Sequence, residues 1–439
     1  MLRPVSSSPE GERTDPRARA RQDLLTLYHA ALVALDGRRR VADSLRRQCP
    51  PGPIYAIAVG KAAGAMLTGA YDILGPELLG GFAVVPAGCC QDLADDLPGL
   101  RCVEGDHPVP GARSLAAGEA LQGFLGGLPS GASLLFLTSG GASSLVEHLA
   151  PGVTVEDLRR ANRWLLGSGL PIQAVNQVRK ALSAIKGGRL AAWVGARPVL
   201  NLLISDVPGD DLASVGSGLL VAHPEERLRA RGLALPEWLA DLVSHSPPAA
   251  PEEAFRAVRH VLVASSADAR AVVAHRARRL GYPVIRHGQL VVGDARQVGQ
   301  HLGERVRDGP RAVQVWGGET TVRLPPAPGR GGRCQTLALS AATVIAGGRG
   351  LWLLAAGTDG RDGPGEDAGA LVDGDTVRRG ELAGLSAADF LARADAGSFL
   401  AASTDLIHTG PTGTNVMDLM IGLKLDERGA RGWADAHSL

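Results

Sequence analysis

Aromatic side chains are scarce in this chain of 439 residues, where Phe, Trp and Tyr together make up 4% of the sequence. A folded core must therefore be built mainly from aliphatic side chains. The sequence also contains 58 glycines and 28 prolines. Frequent glycine allows tight turns between strands and helices, which is typical of α/β folds. The length predicts two to three domains, because a domain usually holds about 100–200 residues.

A large net charge is also absent, since 46 basic residues face 45 acidic ones and the formal net charge is +1. This balance gives no overall positive field for gripping nucleic acid, so no nucleic-acid partner is predicted. Any affinity for phosphate must then come from a local cluster of residues. No apolar run reaches the roughly 18 residues of a membrane span, and no membrane partner is predicted either.

Residues 1–20 are polar and rich in arginine, and they lack the apolar core of a secretion signal. We expect them to form a disordered tail. The chain has five cysteines, at Cys49, Cys89, Cys90, Cys102 and Cys334. Their number is odd and no two form a CxxC pair, which indicates neither a disulfide framework nor a zinc site. Reduced thiols in a cytoplasmic protein are the simplest interpretation.

Several predicted strands of the first half are continuously apolar and end in a polar turn that contains glycine. They are Ile54–Val59, Gly81–Pro86, Ser133–Thr138 and Val199–Ser205. Helical spacing of apolar residues alternates with them, for example over Arg21–Leu35 and Ile172–Ile185. Strands of this kind are typical of a parallel sheet that is covered on both faces. Ligands of such sheets bind at the carboxyl ends of the strands.

A polar, proline-rich segment at 242–252 predicts a linker between two α/β domains, at 21–245 and 255–424. The predicted strands of the second domain include Val261–Ala264, Ala312–Trp316 and Leu351–Ala355. A glycine-rich loop at 329–332 opens a helix at about Gln335. The chain after Lys424 has little pattern.

The turn after the first strand, Gly60-Lys61, stands at the start of a helix. Free N–H groups at a helix start favour an anion, and a lysine adds a point charge that can reach a transferring phosphoryl group. A solvated lysine is the alternative interpretation, and the GxxxxGK[ST] loop of other nucleotide-binding proteins is absent. A second turn contains Ser139, Gly140, Gly141 and Ser143, whose amides and hydroxyls could bind phosphate. It could equally be an ordinary turn with a capping serine.

Asn176, Arg179 and the group Lys186-Gly187-Gly188 come next and could line one wall of a cleft, where Lys186 is predicted to contact the nucleotide. Arg179 and Lys186 are seven positions apart, so they share one face if the helix is continuous. A solvated basic face is the alternative. Three carboxylates, including Asp206 and Asp210, directly follow a buried strand and could ligate magnesium directly or through water. An ordinary Asp-rich turn would also explain them.

The second half repeats this pattern of polar groups after strands. Gly317, Gly318, Glu319 and Thr320 follow one predicted strand, and Thr358 and Asp359 follow another. We expect these residues to contact a nucleotide. Arg333 follows two glycines and could hold a carboxylate or phosphate through two parallel hydrogen bonds. The histidines that precede proline, His107 and His223, are interpreted as structural.

The chain resembles the glycerate 2-kinase family of the MOFRL type in strings that follow one another from about Arg21 to Leu423: AVGKAAGAM, LTSGGASSL, VNQVRKALSAIKGGRLA, SDVPGDD, WGGETTV, GGRCQ, GTDGRDGP and TGPTGTNVMDL. The resemblance implies two α/β domains, one Rossmann-like with a mostly parallel sheet and one with a mixed sheet, and an active site in the cleft between them. It implies ATP and Mg²⁺ as cofactors and phosphorylation of D-glycerate to 2-phosphoglycerate. It also implies that Lys61 and Arg333 are catalytic.

The sequence departs from this family at a few positions. Cys334 and Thr336 replace the usual Asn and Glu of the GGRNQE string, and Ala394 and Met417 stand where the family usually has Asn. These changes leave another small hydroxy acid as an alternative substrate. A nucleotide-binding paralogue without activity is a further alternative.

A hydroxypyruvate reductase is the remaining alternative. It would need a GxGxxG fingerprint after a strand, with an acidic residue about 20 positions later, and the sequence contains none. A homodimer is compatible with the sequence.

Overall fold

The computed structural model describes residues 16–426 except 92, 94–96, 98, 225–229 and 231. Two sheets organise this part of the chain. The first sheet has six strands in the order β3-β2-β1-β4-β5-β6, and all of its pairings are parallel. The second has seven, in the order β12-β11-β10-β13-β9-β7 with β8 also paired to β9. These strands are β1 (Ile54–Val59), β2 (Leu78–Pro86), β3 (Leu100–Gly105), β4 (Ser133–Thr138), β5 (Val199–Ile204), β6 (Val258–Ala264), β7 (Val284–Arg286), β8 (Val291–Asp294), β9 (Val313–Thr321), β10 (Leu351–Gly357), β11 (Gly369–Asp373), β12 (Leu406–Ile407) and β13 (Asp418–Lys424).

Helices cover both sheets and connect their strands. They are α1 (Pro16–Leu35), α2 (Gly37–Arg47), α3 (Ala63–Leu74), α4 (Ala112–Gly126), α5 (Ala142–Leu145), α6 (Val155–Gly167), α7 (Ile172–Ala181), α8 (Leu190–Val194), α9 (Glu237–Ser244), α10 (Ser266–Arg279), α11 (Ala295–Asp308), α12 (Arg333–Ile345), α13 (Thr376–Leu382), α14 (Ala387–Ala392) and α15 (Ala396–Ala402). Helices α6, α7 and α9 share a small apolar cluster of their own, which includes Ala161, Val178 and Leu239. No helix within the described ranges is both long and apolar enough to cross a membrane.

The first sheet confirms the α/β prediction, because it is parallel and its central strands β1 and β4 are almost completely buried. Strands β1 and β4 have the bounds that the sequence predicts, and they pair in register from Ile54–Ser133 to Val59–Thr138. Apolar clusters lie on opposite faces of this sheet, with Ala56 and Leu135 in one and Ile57 in the other. Burial on both faces explains the unbroken apolar runs.

The second sheet is mixed, as the resemblance implies. Strand β13 lies at its centre and runs antiparallel to both β10 and β9, while β7 and β8 run parallel to β9. The prediction contained no strand at β13. The strand begins with the polar residue Asp418, directly after a loop rich in glycine and threonine. The prediction therefore did not separate the strand from the loop before it.

The N-terminal helix begins at Pro16, so the predicted tail 1–20 is too long by five residues. The first turn of α1 is fixed to the second sheet, where Arg17 donates hydrogen bonds of 3.1 and 2.7 Å to Asp373. Further along, the Tyr28 hydroxyl donates to the carbonyl of Gly357 at 2.6 Å. The rest of the predicted tail, residues 1–15, lies outside the described residues.

Strand β6 was predicted in the second domain and lies instead at the edge of the first sheet. It pairs with β5 from Val199–Val258 onward. An apolar run does not reveal which strand lies beside it, so the sequence could not assign β6 to a sheet. The division of the chain into domains at 21–245 and 255–424 stays a proposal.

Helix α7 ends at Ala181, four residues before the predicted end. The Ser183 hydroxyl accepts hydrogen bonds from the amides of Ile185 and Lys186, at 3.3 and 3.2 Å. This local bonding replaces the helical bonds of those amides. Arg179 and Lys186 consequently do not share a helix face.

The cysteines also depart from the prediction of reduced thiols. A disulfide joins Cys90 and Cys102, with 5.6 Å between their Cα atoms. The two cysteines are 12 residues apart in the sequence, and this spacing matches no cysteine motif from which a disulfide could be predicted. The pair links the segment after β2 to the edge strand β3.

Candidate active site

The carboxyl ends of β1, β4 and β5 face the carboxyl end of β10 across a cleft between the two sheets. Lys61 follows β1, and Asp359 follows β10. The Lys61 Nζ atom lies 2.7 Å from Asp359 Oδ2. These two side chains are 31% and 16% exposed, so the pair is partly shielded but still open to a ligand.

The backbone around Lys61 is fixed by the neighbouring turn after β4. The Lys61 amide donates to the carbonyl of Gly140 at 2.9 Å, and the Ala62 amide donates to the Ser139 hydroxyl at 3.1 Å. A Cβ atom on Gly60 would lie 2.1 Å from that hydroxyl oxygen, and its φ is +134°. Only glycine allows the two turns to approach so closely.

Asp206 follows β5 and reaches the same cleft. Its Oδ2 atom accepts a hydrogen bond of 3.0 Å from Asn415 Nδ2, a second contact between the two sheets. A Cβ atom on Gly140 would lie 2.0 Å from Asp206 Oδ2, so this position also requires glycine. Burial raises the pKa of Asp206 to about 6, while the charges of Lys61 and Arg333 act against this rise.

Arg333 is the first residue of α12, and two carboxylates hold its guanidinium. It donates to Asp418 through Nε at 2.6 Å and Nη2 at 2.9 Å, and its Nη1 atom lies 2.8 Å from Glu319. Burial alone would lower the pKa of Arg333, but the bonds to Asp418 and the charge of Glu319 raise it. Burial raises the pKa of Glu319. Arg333 is therefore a fixed cation at one wall of the cleft.

The start of α12 is held by a buried carboxylate. Asp362 accepts hydrogen bonds from the amides of Cys334 at 2.9 Å and Gln335 at 2.7 Å. Burial raises the pKa of Asp362 to about 6, against the effect of these amides. Neither Asp362 nor Asp418 was predicted, although both lie in strings that carry the resemblance, GTDGRDGP and TGPTGTNVMDL, and this is the signal that could have found them.

His107 also lies beside the cleft, although sequence reasoning interpreted it as structural. Its ring and the Lys61 stem each come within 3.2 Å of the position that a Cβ atom on Gly141 would take. Burial, followed by the charge of Lys61, lowers the pKa of His107 to about 4. The imidazole is therefore neutral at physiological pH. His107 lies two residues after the end of β3, which was not predicted. Predicting that strand would have placed His107 at the carboxyl edge of the first sheet.

The structure thus brings together most of the predicted residues of the first half and some of the second. The shared cleft contains Gly60, Lys61, Ser139, Gly140, Gly141, Asp206, Glu319, Arg333 and Asp359.

Other predicted contacts lie elsewhere. Lys186 is buried and forms an ion pair with Glu147, at side-chain exposures of 2% and 1%, so it does not open to the cleft. The Ser143 hydroxyl pairs with that of Ser217 at 2.7 Å. Thr358 is buried and donates to the carbonyl of Met417 at 2.6 Å. These polar groups stabilise the loops around the cleft.

The predicted turn at Gly317, Gly318, Glu319 and Thr320 does not exist, because β9 continues through Thr321. Gly317 pairs with Leu419, and Gly318 pairs with both Asp418 and Val291. The backbone here is part of a ladder between strands and does not form a phosphate-binding loop. Only Glu319 of this group reaches the cleft, since Thr320 is buried.

The predicted magnesium ligands differ in their surroundings. Asp206 is in the cleft, whereas Asp210 lies near Arg270 of α10. The buried Oδ1 atom of Asp210 has no hydrogen-bond partner among the described residues. Over the same residues, no group of three or more His, Cys, Asp or Glu side chains is arranged to hold a metal. Hard carboxylate oxygens fit Mg²⁺, which is usually held by few carboxylates together with substrate phosphates.

Two of the unusual residues in this sequence occupy strained backbone. Ala394 and Met417 have φ values of +52° and +70°. Asn tolerates this left-handed conformation better than most residues, so Ala394 and Met417 each carry a cost in backbone energy.

Comparison with known proteins shows which families the two parts of the chain match. Residues 23–237 match a domain of unknown function (DUF4147), and residues 312–418 match the MOFRL family. The chain is 36% identical to a protein of Agrobacterium vitis that has hydroxypyruvate reductase as a provisional name, covering 91% of this chain and 93% of the relative. It is 33% identical to a glycerate 2-kinase of Pyrococcus horikoshii, covering 86% and 89%.

A solved structure extends this similarity to the whole fold. The crystal structure of a glycerate kinase from Thermotoga maritima matches with a TM-score of 0.80 and 30% identity, covering 93% of this chain and 100% of that one. Three observations point to one family: the sequence strings that carry the resemblance, the two-sheet fold, and relatives that match over nearly their full length. The chain therefore belongs to the glycerate 2-kinase family.

Proposed function

We propose that this protein transfers the γ-phosphoryl group of ATP to a hydroxyl of D-glycerate, giving 2-phosphoglycerate. The observation that carries the proposal is the Lys61–Asp359 pair, which joins the strand ends of the two sheets at 2.7 Å beside Asp206 and Arg333. Phosphoryl transfer needs mainly positioning and electrostatic stabilisation, and this cleft offers cations and carboxylates for both.

Lys61 supplies the positive charge nearest the glycine-rich turns. Its ammonium group stabilises the charge that spreads over the transferring phosphoryl group. Asp359 holds the lysine side chain toward the second sheet, and the bond from the Lys61 amide to Gly140 fixes its backbone.

Arg333 acts from the opposite wall. Three of its N–H groups are engaged by Asp418 and Glu319, and a guanidinium has further donors for a substrate anion. A fixed arginine orients an acidic substrate at little entropic cost. His107 is neutral beside Lys61, so the positive charge on this side of the cleft comes from Lys61.

Asp206, with Asp210 as the second predicted ligand, would hold Mg²⁺, which neutralises charge on the ATP phosphates when bound. The Asn415 amide orients the Asp206 carboxylate from the second sheet. A loose transition state requires little help from a general base. A cytoplasmic location and a homodimer stay predictions.

The test is an ADP-release assay with ATP, Mg²⁺ and a panel of D-glycerate, L-glycerate, glycolate and D-lactate. We expect ADP release with D-glycerate, and phosphorus NMR should show 2-phosphoglycerate as the product. Absence of ADP release with every acid would reject the kinase assignment. Release with another acid alone would reject glycerate as the substrate.

The provisional name of the Agrobacterium vitis relative makes hydroxypyruvate reduction the second activity to measure. Oxidation of NADH or NADPH by hydroxypyruvate is followed by absorbance. We expect no turnover, because the turn after β1 carries Lys61 and the sequence has no GxGxxG fingerprint. Rapid oxidation would favour the reductase over the kinase.

A further inference from the structure

His107 lies in the loop after β3, and this loop packs against the turn after β4. The end of β3 touches α5, because a Cβ atom on Gly105 would lie 2.1 Å from the carbonyl oxygen of Leu145. The Ser144 hydroxyl donates to the carbonyl of Pro108 at 2.7 Å and holds the loop in this position. The loop therefore carries His107 from the edge strand of the first sheet to the glycine-rich turn at the cleft.

The Cδ2–Nε2 edge of the His107 ring and the stem of Lys61 border the same point. A Cβ atom on Gly141 would lie 3.2 Å from His107 Cδ2, 3.3 Å from His107 Nε2 and 3.2 Å from Lys61 Cγ. The two side chains are thus neighbours beside the glycine-rich turn. A hydroxyl that lies next to the phosphoryl group at Lys61 is then within reach of the imidazole.

The imidazole differs from the carboxylates of the cleft in having no partner. Asp206, Glu319 and Asp359 each accept a hydrogen bond or pair with a cation. Neither ring nitrogen of His107 makes a hydrogen bond to any residue that the structure describes, and the residue is open to solvent on one side. A ligand can therefore reach the ring without displacing a protein group.

The charges around the ring leave the imidazole neutral, as a proton acceptor must be. Partial burial lowers the pKa of His107 to about 4, the charge of Lys61 adds to this effect, and Asp359 opposes it. The preceding carboxylate, Asp106, is engaged by the start of α4, where it accepts from the Arg113 amide at 2.9 Å. The phosphates of ATP add negative charge beside Lys61, which favours the imidazolium that forms when a proton is accepted.

We propose that His107 is a catalytic residue that accepts the proton of the substrate hydroxyl. The hydroxyl oxygen attacks the γ-phosphorus of ATP, the bond from that phosphorus to the β–γ bridging oxygen breaks, and ADP leaves. The proton passes to Nε2 of the neutral imidazole and is later released to water. In a loose transition state this transfer comes late, so the ring first orients the hydroxyl. The inference rests on the proposed function and adds a residue to it.

The His107→Gln variant tests this role, because the amide keeps a hydrogen-bonding group but cannot take up the proton. We expect kcat with D-glycerate to fall by ~100-fold, while both KM values and the free energy of unfolding stay near those of the wild type. His275→Gln, the same change at an exposed position of α10, is the matched control and should leave kcat unchanged. An unchanged kcat in His107→Gln, beside an active wild type, would reject the proton acceptor and leave the kinase intact.

Rescue by a free base separates proton transfer from a structural role. The position is open to solvent, so added imidazole can enter the space that His107→Ala leaves. We expect imidazole to raise kcat of His107→Ala by ~10-fold or more, and pyrazole, which has the same shape but is a much weaker base, to leave it unchanged. No gain with imidazole, or an equal gain with pyrazole, would contradict proton acceptance by this ring.

NMR of the ring nitrogens tests the placement of His107 without any turnover. The signal is assigned by its loss in His107→Gln. Saturation of the wild type with ATP and Mg²⁺ should shift this signal toward that of imidazolium, because the phosphates bind beside the ring. An unshifted signal would place His107 away from the phosphates and overturn the proposal.

Discussion

The Lys61–Asp359 pair lies in the cleft between the two sheets, whereas the Lys186–Glu147 pair lies within the part of the chain that builds the first sheet. The first pair is partly open, with 31% of the lysine side chain exposed. The second is almost completely buried, at 2% and 1%, and the Ser183 hydroxyl also donates to Glu147 at 2.6 Å. A lysine beside glycines is thus partly exposed in the cleft in one region and a buried cross-link in the other.

This difference follows from what surrounds each ammonium group. Lys61 lies in the turn between the central strand β1 and helix α3, at the carboxyl ends of the strands, where ligands of α/β proteins bind. Lys186 follows the early end of α7, and its segment packs on the turn near Ser217, where Gly187 donates to a carbonyl at 3.0 Å. We therefore expect substitutions at Lys61 to change activity and substitutions at Lys186 to change stability.

The largest expected effect is that of Lys61→Ala. Turnover of ATP and D-glycerate should fall by about a thousandfold or more, because the main charge at the transferring phosphoryl group is lost. The free energy of unfolding should change little, since a partly exposed ion pair contributes only about 0–1 kcal/mol. ADP release and guanidinium unfolding measure the two quantities. Turnover close to that of the wild type would remove Lys61 from the mechanism.

Lys186→Met should have the opposite profile. The change leaves Glu147 as an uncompensated buried charge, which typically costs about 3–5 kcal/mol of unfolding free energy. Turnover per folded molecule should stay within about threefold of the wild type, since effects away from the chemical site act mainly through stability. Unfolding by guanidinium followed by circular dichroism measures the loss.

The control for Lys186→Met is the double variant Lys186→Met with Glu147→Gln. A neutral amide can still accept from the Ser183 hydroxyl, so most of the lost stability should return. If the double variant is no more stable than the single one, an unpaired charge is not the cause. A large loss of turnover in folded Lys186→Met would place this lysine in the active site after all.

The cost of buried charge near the cleft can be tested at Asp362. Its pKa is raised from 3.8 to about 6, so the folded state binds the proton more tightly than the unfolded state. The stabilisation is complete below pH 3.8 and is lost as the pH rises through 6. Between pH 4.5 and 7.5, Asp362 should lower the free energy of unfolding by about 1–3 kcal/mol. The difference between the wild type and Asp362→Asn, measured across this range, isolates the contribution, and a difference independent of pH would contradict it.

The smallest expected effect concerns backbone strain next to the loop that carries Arg333. Ala394 has φ +52°, and the following residue, Asp395, accepts from the Arg330 amide at 2.9 Å. Ala394→Gly should raise the free energy of unfolding by about 0.5–1 kcal/mol, because glycine adopts this conformation without strain. Ala401→Gly in α15 is the matched control and should lower it by about 0.5–1 kcal/mol. Equal effects of the two changes would contradict the strain.

The sequence predicts the first sheet well because its strands are buried on both faces. Unbroken apolar runs fix β1 and β4 to the residue, and the turns after them correctly place Lys61 and Gly140 at one edge. The position of Lys186 could not be predicted in the same way. Its environment depends on Glu147, 39 positions away along the chain, and on where α7 ends.

The second sheet was harder to predict because its strands are interrupted by glycine and polar residues. Gly317 and Gly318 were predicted to form a turn, yet they lie in β9, where a Cβ atom would collide with the Ser266 side chain at Gly317 and with the Val291 backbone at Gly318. Asp418, which holds Arg333, begins a strand whose apolar residues directly follow a loop rich in glycine and threonine, and the prediction did not separate the strand from the loop. The position of β6 depends on pairing with β5, which a single strand's sequence does not specify.

The most direct test of the central claim is a double-mutant cycle on Lys61→Ala and Asp359→Asn, read as kcat/KM for D-glycerate. If residues from the two sheets form one catalytic site, the effects of the single changes should fail to add by at least about 1.5 kcal/mol. Effects that add to within about 0.5 kcal/mol would show that Lys61 and Asp359 act independently, and would contradict a shared site between the sheets.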